Sequence, residues 1–213
     1  MSRIIFLKHG AEADIYLGRW FGKEAILKIR KLKPYRQPEL DAEIRRKRTL
    51  HEANFLMNAR RAGVSTPLVY FIDQYKAEII MQYIKGMRLK EIISDKKIGN
   101  NDFLYSEVGR CIAKLHKNNI IHGDLTTSNF LVIRNKLVII DFGLAFFSQR
   151  LEDMAVDLHL IKEVLESAHV EVADEAFKKI LEGYAEIFDT RIIKDLVRKV
   201  KEIEKRGRYA HVE

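Results

Sequence analysis

Cysteine is almost absent from this sequence of 213 residues, which contains Cys111 alone. A single thiol excludes an intrachain disulfide framework and a cysteine-rich zinc site, and it favours a reducing compartment. The seven histidines show no pairing with cysteine at the spacing of metal ligands, so no transition-metal site is expected. We therefore expect a cytoplasmic protein.

Long apolar runs are also missing. The opening stretch MSRIIFLKHG has too short an apolar run for a signal peptide, and no later stretch approaches the roughly 18 apolar residues that a membrane span requires. The hydrophobic content of 47% is nevertheless enough to bury a sizeable core. The sequence predicts a globular chain without membrane insertion, either as one domain or as two lobes that share a cleft.

Acidic residues are too few to balance the basic ones. The chain carries 38 lysines and arginines against 30 aspartates and glutamates, a net charge of +8. Such a field attracts anions, and ATP, an acidic protein and a nucleic-acid backbone all qualify. The basic residues cluster at 30–36, 45–48 and 194–208, and each cluster is also compatible with a solvated helix face.

The first part of the chain has the pattern of a small β-rich lobe. The runs RIIFLKHG, ADIYLGRW and EAILKIRK predict three antiparallel strands, separated by Gly10 and by the turn FGK. Apolar residues at helical spacing predict one long helix from about Pro38 to Arg61, with Gly63 as its stop signal. PLVYFID and AEIIMQYI predict two more strands. We place this lobe at residues 1–84.

Residues 85–213 have a different character. LKEIIS and DFLYSEVGRCIAKLHKN predict helices, and FLVI and LVII predict a hairpin with its turn at residues 134–136. Helical patterns follow to the end. The predicted fold class is α+β, with a small β-rich N-terminal lobe that holds one long helix and a mainly helical C-terminal lobe.

The stretch HGDLTTSNFLVIRNKLVIIDFGLA, residues 122–145, carries the chemistry. Asp124 and Asn129 lie on one loop, and the predicted hairpin returns Asp141 beside them. Magnesium prefers hard oxygen ligands and uses few protein groups, so Asn129 and Asp141 are its predicted ligands. Asp124 is left to orient an attacking hydroxyl and accept its proton. His122 is interpreted as a structural support of the loop.

These motifs resemble a known family. HGDLTTSN and DFG are similar to the catalytic and metal-binding motifs of the protein-kinase superfamily. Within it, six blocks resemble the atypical serine/threonine kinase/ATPase of the KEOPS complex, the PRPK type: GAEADIY, LKIRKLKPYRQPELD, RKRTLHEA, RAGVSTP, HGDLTTSNFL and DFGLAFFSQRLEDMAVDL.

The resemblance implies a protein-kinase-like two-lobe fold with a reduced C-terminal lobe. The N-terminal lobe would bind ATP, and the C-terminal lobe, with its basic tail, would be catalytic with Mg²⁺. It further implies a cytoplasmic enzyme that can phosphorylate its own serines. Its expected partners are a threonylcarbamoyl-adenosine synthase subunit, which modifies tRNA, and a small regulatory subunit of the complex.

The nucleotide site follows from the same resemblance. Lys28 in AILK matches the strand lysine that contacts the α- and β-phosphates. Its expected acidic partner is Glu52 in LHEA, with Glu43 as the alternative. Adenine would lie at the junction of the lobes, with Met81 behind it and the backbone of Gln82 and Ile84 as hydrogen-bond partners.

The glycine-rich loop departs from the common kinase pattern, because HGAEADIYLG contains no G-x-G-x-x-G. The resemblance assigns Gly10, Ala11 and Glu12 to the loop over the phosphates. A carboxylate there would repel phosphate unless a cation compensates it, so Glu12 is treated as a gate candidate.

Two further departures concern regulation. Gly123 stands where regulated kinases carry an arginine that reads a phosphorylated activation loop. Only 15 residues separate Asp141 from Asp157, too few for a substrate-docking segment or an APE motif. We therefore expect control by a protein partner. Asp157 resembles the helix aspartate that braces the catalytic loop through backbone amides.

The C-terminal stretch RIIKDLVRKVKEIEKRGRYAHVE predicts a helix with an apolar stripe and a basic surface. The pattern ends after Gly207, which leaves a basic tail that either contacts tRNA phosphates or is disordered. Arg206 and Arg208 are the candidate contacts.

Three functions remain open on the sequence. The first is a kinase or ATPase whose acceptor is a protein serine or water. The second is a small-molecule phosphotransferase of the aminoglycoside or choline kinase type, which shares the H-G-D-x4-N loop but usually has a larger helical lobe. The third is a non-catalytic scaffold, which the intact set of Lys28, Asp124, Asn129 and Asp141 disfavours.

Overall fold

The computed structural model describes residues 2–95 and 101–209, with side chains for residues 4–95 and 101–206. Two compact units are present. The first comprises the residues up to Arg61, Thr66–Lys85 and Ile140–Gly143, and the second comprises Ala62–Ser65, Gly86–Ile139 and the residues from Leu144 onward. The sequence-based division at residue 84 did not include the short segments 62–65 and 140–143, which the structure assigns to the other unit.

The first unit is one antiparallel sheet with one long helix. Its elements are β1 (Ser2–His9), β2 (Ala13–Trp20), β3 (Lys23–Arg30), α1 (Pro38–Arg61), β4 (Val69–Asp73) and β5 (Glu78–Gln82). The strand order is β1-β2-β3-β5-β4. Phe21 and Gly22 both have positive φ, 46° and 79°, as a two-residue hairpin turn between β2 and β3 requires. The predicted five strands and one helix are confirmed.

Strand alternation decides which side chains of β3 meet the helix. Ala25 and Leu27 are buried with Ile80 on one face of the sheet. Lys28 points to the opposite face, because successive strand residues alternate. On that face Lys28 contacts Glu52 of α1. Glu52 and its neighbour Ala53 are both buried.

The second unit is mainly helical. Its helices are α2 (Leu89–Ser94), α3 (Asp102–Lys117), α4 (Leu151–Ala168), α5 (Ala173–Ala185) and α6 (Thr190–Tyr209). Its short strands are β6 (Met87–Arg88), β7 (Ile120–Ile121), β8 (Phe130–Ile133), β9 (Lys136–Ile139) and β10 (Phe146–Phe147). They form the sheets β6-β8-β9 and β7-β10. The predicted protein-kinase-like α+β fold class is thus confirmed in its elements.

The predicted hairpin is present as β8 and β9. Phe130 pairs with Ile139, and the turn is made by Arg134 and Asn135, both with positive φ of 47° and 61°. Two such residues give the tight turn that matches the twist of paired strands.

Helices α3 and α5 pack at very short range. A Cβ on Gly109 of α3 would lie 1.9 Å from the carbonyl oxygen of Ile180, and a Cβ on Gly183 of α5 would lie 2.0 Å from that of Ser106. Both distances are far below van der Waals contact. Only glycine at these two positions permits the approach of the two backbones.

Helix α6 differs from its prediction at one end. Its apolar side chains Leu196 and Val200 are buried, as the stripe indicated. The helix, however, continues through Gly207 to Tyr209, where the sequence predicted a loss of helical pattern. None of the helices in the described part of the chain combines the length and apolar composition that crossing a bilayer requires.

Candidate active site

Lys28 of β3 and Glu52 of α1 form a buried ion pair in the first unit. Nζ of Lys28 lies 2.5 Å from Oε1 of Glu52, and the Glu52 side chain is 1% exposed. Glu43, the alternative partner, instead pairs with Lys47 on the solvent side of α1. Nine residues rotate a helix by about half a turn, so only one of the two glutamates faces the sheet.

Arg30 contacts the same carboxylate and was not identified from the sequence. Its Nη2 donates to Oε2 of Glu52 at 2.6 Å and to the carbonyl oxygen of Arg48 at 3.2 Å. The side chain is 7% exposed. A signal was available, because strand residues two apart share a face and Arg30 follows Lys28 by two.

Asp141 completes this cluster. Its Oδ1 lies 3.1 Å from Nζ of Lys28, and its side chain is half exposed. The residue has φ 65°, a left-handed conformation that aspartate tolerates better than most residues. A Cβ on Gly143 would lie 3.3 Å from Oδ1 of Asp141, so a side chain there would crowd the carboxylate.

The charges in the cluster balance, with two cations, Lys28 and Arg30, and two anions, Glu52 and Asp141. Burial by itself would lower the pKa of Lys28, and Arg30 also acts in that direction. Glu52 and Asp141 overcome both and raise the pKa of Lys28 above its ordinary value. Lys28 is therefore a permanent cation at neutral pH, which suits an anionic ligand.

The loop assigned to the phosphates is a tight turn in the first unit. The backbone N–H of Gly10 donates to the carbonyl of Ala13 at 2.9 Å. Nζ of Lys33 donates to the carbonyl of Ala11 at 2.8 Å. Glu12 pairs with Arg48 of α1 at 2.7 Å. The repulsion expected between Glu12 and a phosphate is thus reduced by an arginine on the long helix.

The residues predicted to contact adenine lie on and after β5. Met81 is 8% exposed, and Gln82 donates its backbone N–H to the carbonyl of Leu68 at 2.8 Å. A donor already used in the sheet cannot serve a nucleotide without breaking that bond. For Gln82, the predicted hydrogen bond to adenine is therefore restricted to its carbonyl oxygen. For Ile84, the predicted backbone hydrogen bond to adenine is unchanged.

Asp124 and Asn129 lie together in the second unit. Nδ2 of Asn129 donates to the backbone carbonyl of Asp124 at 2.9 Å and to its Oδ2 at 3.0 Å. A short 3₁₀ turn, Thr127–Asn129, brings the two side chains to one side of the loop. Because Nδ2 faces Asp124, Oδ1 of Asn129 is directed away from it, as a metal-binding oxygen would need to be.

Asp157 braces this loop from α4, as predicted. Its Oδ2 accepts the backbone N–H of His122 at 2.7 Å, and its Oδ1 accepts that of Gly123 at 2.8 Å. Asp157 and His122 are both fully buried. Hydrogen bonds to a buried carboxylate are strong, so the backbone directly before Asp124 is fixed by a helix.

His116 and Tyr184 form a second support, which contacts Asp157 itself and was not predicted from the sequence. Nε2 of His116 lies 3.2 Å from Oδ2 of Asp157, and Nδ1 of His116 lies 2.9 Å from the hydroxyl of Tyr184. Burial, and secondarily the charge of Asp157, raise the pKa of Tyr184, so its hydroxyl stays protonated. The available signal was a histidine on the apolar side of a predicted helix.

Gly123 has two structural reasons to be glycine. Its φ is 76°, and a Cβ would lie 2.6 Å from the carbonyl oxygen of Leu144. An arginine at this position would require the loop to move. Close backbone packing therefore explains the glycine at this position.

The basic residues of α6 divide into two groups. Arg206 pairs with Glu152 of α4 at 3.0 Å, which ties the end of the helix to its neighbour. The side chain of Arg208 lies outside the described residues. One exposed row carries only cations: Arg191, Lys194, Arg198, Lys201 and Lys205. Of these, Arg198 alone forms an ion pair within the described part of the chain.

The structure thus brings together Lys28, Glu52 and Asp141 in one unit, and Asp124 with Asn129 in the other. The assignment of Asn129 and Asp141 to one magnesium ion stays a prediction. Among residues 4–95 and 101–206, no group of three or more His, Cys, Asp or Glu is arranged to hold a metal. The predicted ligands Asn129 and Asp141 are one amide and one carboxylate, so they are not a group of that kind.

The protein-kinase family model, described as "Protein kinase domain", matches residues 7–158. The KEOPS complex subunit Bud32 of Pyrococcus abyssi is 42% identical over 209 residues, which cover 95% of this chain and 95% of that protein. A probable bifunctional tRNA threonylcarbamoyladenosine biosynthesis protein of Methanothermobacter thermautotrophicus is also 42% identical, over 95% of this chain. The chain spans only 36% of the length of that relative.

A solved structure of similar fold is the Rio2 kinase from Chaetomium thermophilum, in a complex with ADP, Mg²⁺ and phosphoaspartate. It aligns with a TM-score of 0.65 and 20% identity, over 96% of this chain and 71% of that one. At this identity the likeness concerns the fold alone. The family model and the 42% identity to the Pyrococcus abyssi protein show that the chain belongs to the protein-kinase family and, within it, to the family of the KEOPS complex subunit Bud32.

Proposed function

We propose that this chain is an ATP-dependent serine/threonine kinase or ATPase. It transfers the γ-phosphate of ATP to a serine hydroxyl, including its own, or to water. The observation that carries the proposal is the buried pair of Lys28 and Glu52 with Asp141 on the same lysine. A permanent cation between two carboxylates is the arrangement that kinases use to hold phosphates and a metal ion.

Asp124 is the proposed catalytic carboxylate. It orients the attacking hydroxyl or water and accepts its proton. The bracing of His122 and Gly123 by Asp157 supports this role, because positioning contributes most of the catalysis in phosphoryl transfer. Asn129 is proposed to act as a metal ligand through Oδ1 and to steady Asp124 through Nδ2.

Asn129 and Asp141 would hold magnesium. The donor set fits, because both offer hard oxygen atoms and magnesium completes its shell with water and phosphate. When bound, the ion neutralises charge on the β- and γ-phosphates. For the nucleotide itself, Gly10, Ala11 and Glu12 are proposed to cover the phosphates.

For adenine we propose a pocket with Met81 behind the base. The carbonyl of Gln82 and the backbone of Ile84 would provide its hydrogen bonds. Glu52 acts in the same site by holding Lys28.

The proposed setting is the KEOPS complex in the cytoplasm, where the chain serves the threonylcarbamoyl-adenosine modification of tRNA. The names of its relatives support membership of the complex and the tRNA modification. The proposed partners are the threonylcarbamoyl-adenosine synthase subunit, a small regulatory subunit and tRNA. For the tRNA contact, the exposed basic row of α6 is added to Arg206 and Arg208, since Arg206 already pairs with Glu152.

The alternatives have less support. After Asp157, the described chain forms the rest of α4, then α5 and α6. Helices α4 and α6 are joined by pairs such as Lys162 with Glu204 at 2.8 Å. These helices therefore bind each other, whereas an aminoglycoside or choline kinase devotes such a region to its substrate. A scaffold would not need the buried cluster around Lys28.

The test is reconstitution of tRNA modification with the synthase subunit, the small subunit, ATP and tRNA. Wild type, Asp124→Ala and Asp174→Ala are compared, the last being a control at an exposed aspartate of the same unit. We expect threonylcarbamoyl-adenosine to form with wild type and the control, and to be lost with Asp124→Ala. Equal modification by all three proteins would contradict the proposal.

A further inference from the structure

The loop that carries Asp124 is also held at a point beyond that carboxylate. Oγ1 of Thr127 lies 3.3 Å from Nε2 of His169, within hydrogen-bond distance. Thr127 is the first residue of the short 3₁₀ turn in this loop, and Asn129 is the last. The bond to His169 therefore holds the turn that places Asn129 against Asp124.

His169 is itself fixed, at the end of the helix that also carries Asp157. It directly follows α4, donates its backbone N–H to the carbonyl of Leu165 at 2.9 Å and accepts the N–H of Val172 at 3.0 Å. Asp157 of α4 holds the peptide directly before Asp124. One helix and its capping residue therefore contact the loop on both sides of that carboxylate.

Both side chains of the pair are buried, since Thr127 is 1% and His169 is 6% exposed. Burial, and secondarily the charge of Lys90, lower the pKa of His169, so the imidazole is neutral at neutral pH. A neutral imidazole and a hydroxyl each offer a donor and an acceptor, so the two groups satisfy one another away from water.

Packing alone does not account for this polar pair. Valine has nearly the same shape as threonine and would fill the site of Thr127 without needing a hydrogen-bond partner. Replacing both members of a hydrogen bond by apolar groups of similar shape changes stability little. A hydrogen bond is directional, however, and apolar packing is not. The pair between Thr127 and His169 is thus suited to set the orientation of the turn.

We propose that His169 is a positioning residue for phosphoryl transfer, which orients Asn129 and Asp124 through the hydroxyl of Thr127. This inference rests on the proposed function, in which Asp124 orients the acceptor and Asn129 binds magnesium. Nδ2 of Asn129 donates to Oδ2 of Asp124 at 3.0 Å, so a movement of the turn is passed directly to the carboxylate. Small displacements of positioned groups cost much of the rate of a reaction.

The experiment measures kcat and KM for ATP turnover by the full chain with the synthase subunit and tRNA, and the Tm of each variant. Thr127→Val keeps the shape of the side chain and removes the hydroxyl. We expect its kcat to fall about tenfold and its KM for ATP to stay within about threefold, because most of the proposed nucleotide contacts lie in the first unit. Thr127→Ser keeps the hydroxyl and loses a buried methyl group. Its Tm should fall by about 2–4 °C while kcat stays within about threefold of wild type.

The histidine is tested in the same way. His169→Leu should lower kcat about tenfold, and His169→Gln, whose amide nitrogen can replace Nε2, should recover kcat to within about threefold of wild type. The double variant Thr127→Val/His169→Leu should lose about tenfold and no more, because both substitutions remove one bond. Ser167→Ala, which removes an exposed hydroxyl near the end of α4, is the control and should behave as wild type.

Three results would overturn the inference. The first is wild-type kcat for folded Thr127→Val, and the second is an equal loss of kcat in Thr127→Ser and Thr127→Val, which would indicate packing. The third is a loss of about a hundredfold in the double variant, which would make the two residues independent. If a single apolar variant does not fold, the double variant, Thr127→Ser and His169→Gln decide the question.

Hydrogen exchange of residues 124–130 separates this inference from the proposed function. Exchange should be about tenfold faster in Thr127→Val than in wild type, whether or not ATP is turned over. Wild type without turnover but with this difference in exchange would overturn the proposed function and leave the hold of His169 on the turn. Equal exchange in the two proteins would overturn the inference itself.

Discussion

Oδ1 of Asp157 accepts the backbone N–H of Gly123 at 2.8 Å, so a side chain of α4 holds the peptide directly before Asp124. The other oxygen of the same carboxylate accepts the N–H of His122 at 2.7 Å. The loop that carries Asp124, the proposed catalytic residue, is therefore fixed from inside its own unit.

Replacing Asp157 by alanine tests that support. The buried N–H of His122 and the partly buried N–H of Gly123 would lose their acceptor, and the loss of a buried partner costs about 1–3 kcal/mol. We expect the free energy of unfolding in urea to fall by about 2–5 kcal/mol and ATP turnover to fall with it. Asp153→Ala, which removes a partly exposed carboxylate of the same helix, should have a much smaller effect. A stable Asp157→Ala with normal turnover would contradict the assigned support.

Lys28→Met tests the cation of the nucleotide site. Hydrogen bonds to charged groups contribute about 1.5–3 kcal/mol, so the affinity for ATP should fall at least about tenfold. The variant should still fold, because Arg30 remains on Glu52. Lys23→Met, at the exposed start of the same strand, provides the control in the same calorimetric titration. Unchanged ATP binding by Lys28→Met would exclude this lysine from the site.

The exposed row of α6 is expected to contact the phosphates of tRNA. The double variant Lys194→Glu/Lys201→Glu should weaken tRNA binding at least about tenfold and reduce its dependence on salt, because phosphate contacts release counterions. Lys117→Glu/Lys178→Glu makes the same change of charge at other exposed lysines of the second unit. Fluorescence anisotropy with labelled tRNA measures both. Equal losses in the two variants would indicate a general charge effect and not a site on α6.

Cys111 provides a test of burial that is independent of function. Burial raises the pKa of its thiol to about 11, and the thiol, not the thiolate, predominates at every pH below that value. A chromogenic thiol reagent at pH 8 should therefore react slowly with the native protein and rapidly after denaturation. The native rate should rise with pH toward 11. Fast reaction of the native protein at pH 8 would place Cys111 at the surface.

The sequence was most informative where local patterns decide structure. Strand alternation, the hairpin turn and the helical spacing between Pro38 and Arg61 are all local, and each was predicted, although the turn is made by Arg134 and Asn135 and does not include Lys136, which begins β9. The brace from Asp157 was also anticipated, through the resemblance to kinases. It joins residues 34 positions apart, which no periodicity could reveal.

The features that the sequence did not reveal depend on packing between distant segments. Arg30 shares Glu52 only because α1 lies against β3, and His116 meets Tyr184 across 68 positions. Glycine is unfavourable inside a helix, but Gly183 of α5 is required by its packing, because a Cβ there would lie 2.0 Å from the carbonyl oxygen of Ser106 on α3. The prediction for the end of α6 was wrong: the apolar periodicity is lost after Gly207, but the helix continues to Tyr209.

The measurement that tests the central claim most directly follows the γ-phosphate of labelled ATP with the purified chain and its Asp124→Ala variant. Each is assayed alone and with the synthase subunit and tRNA, and label is sought on protein serines and as free phosphate. The account predicts Asp124-dependent transfer that increases with the partner: free phosphate would identify an ATPase, and labelled serine a kinase. Turnover that is absent under every condition would contradict it and leave the scaffold. Turnover that is equal in wild type and Asp124→Ala would contradict the catalytic role of Asp124.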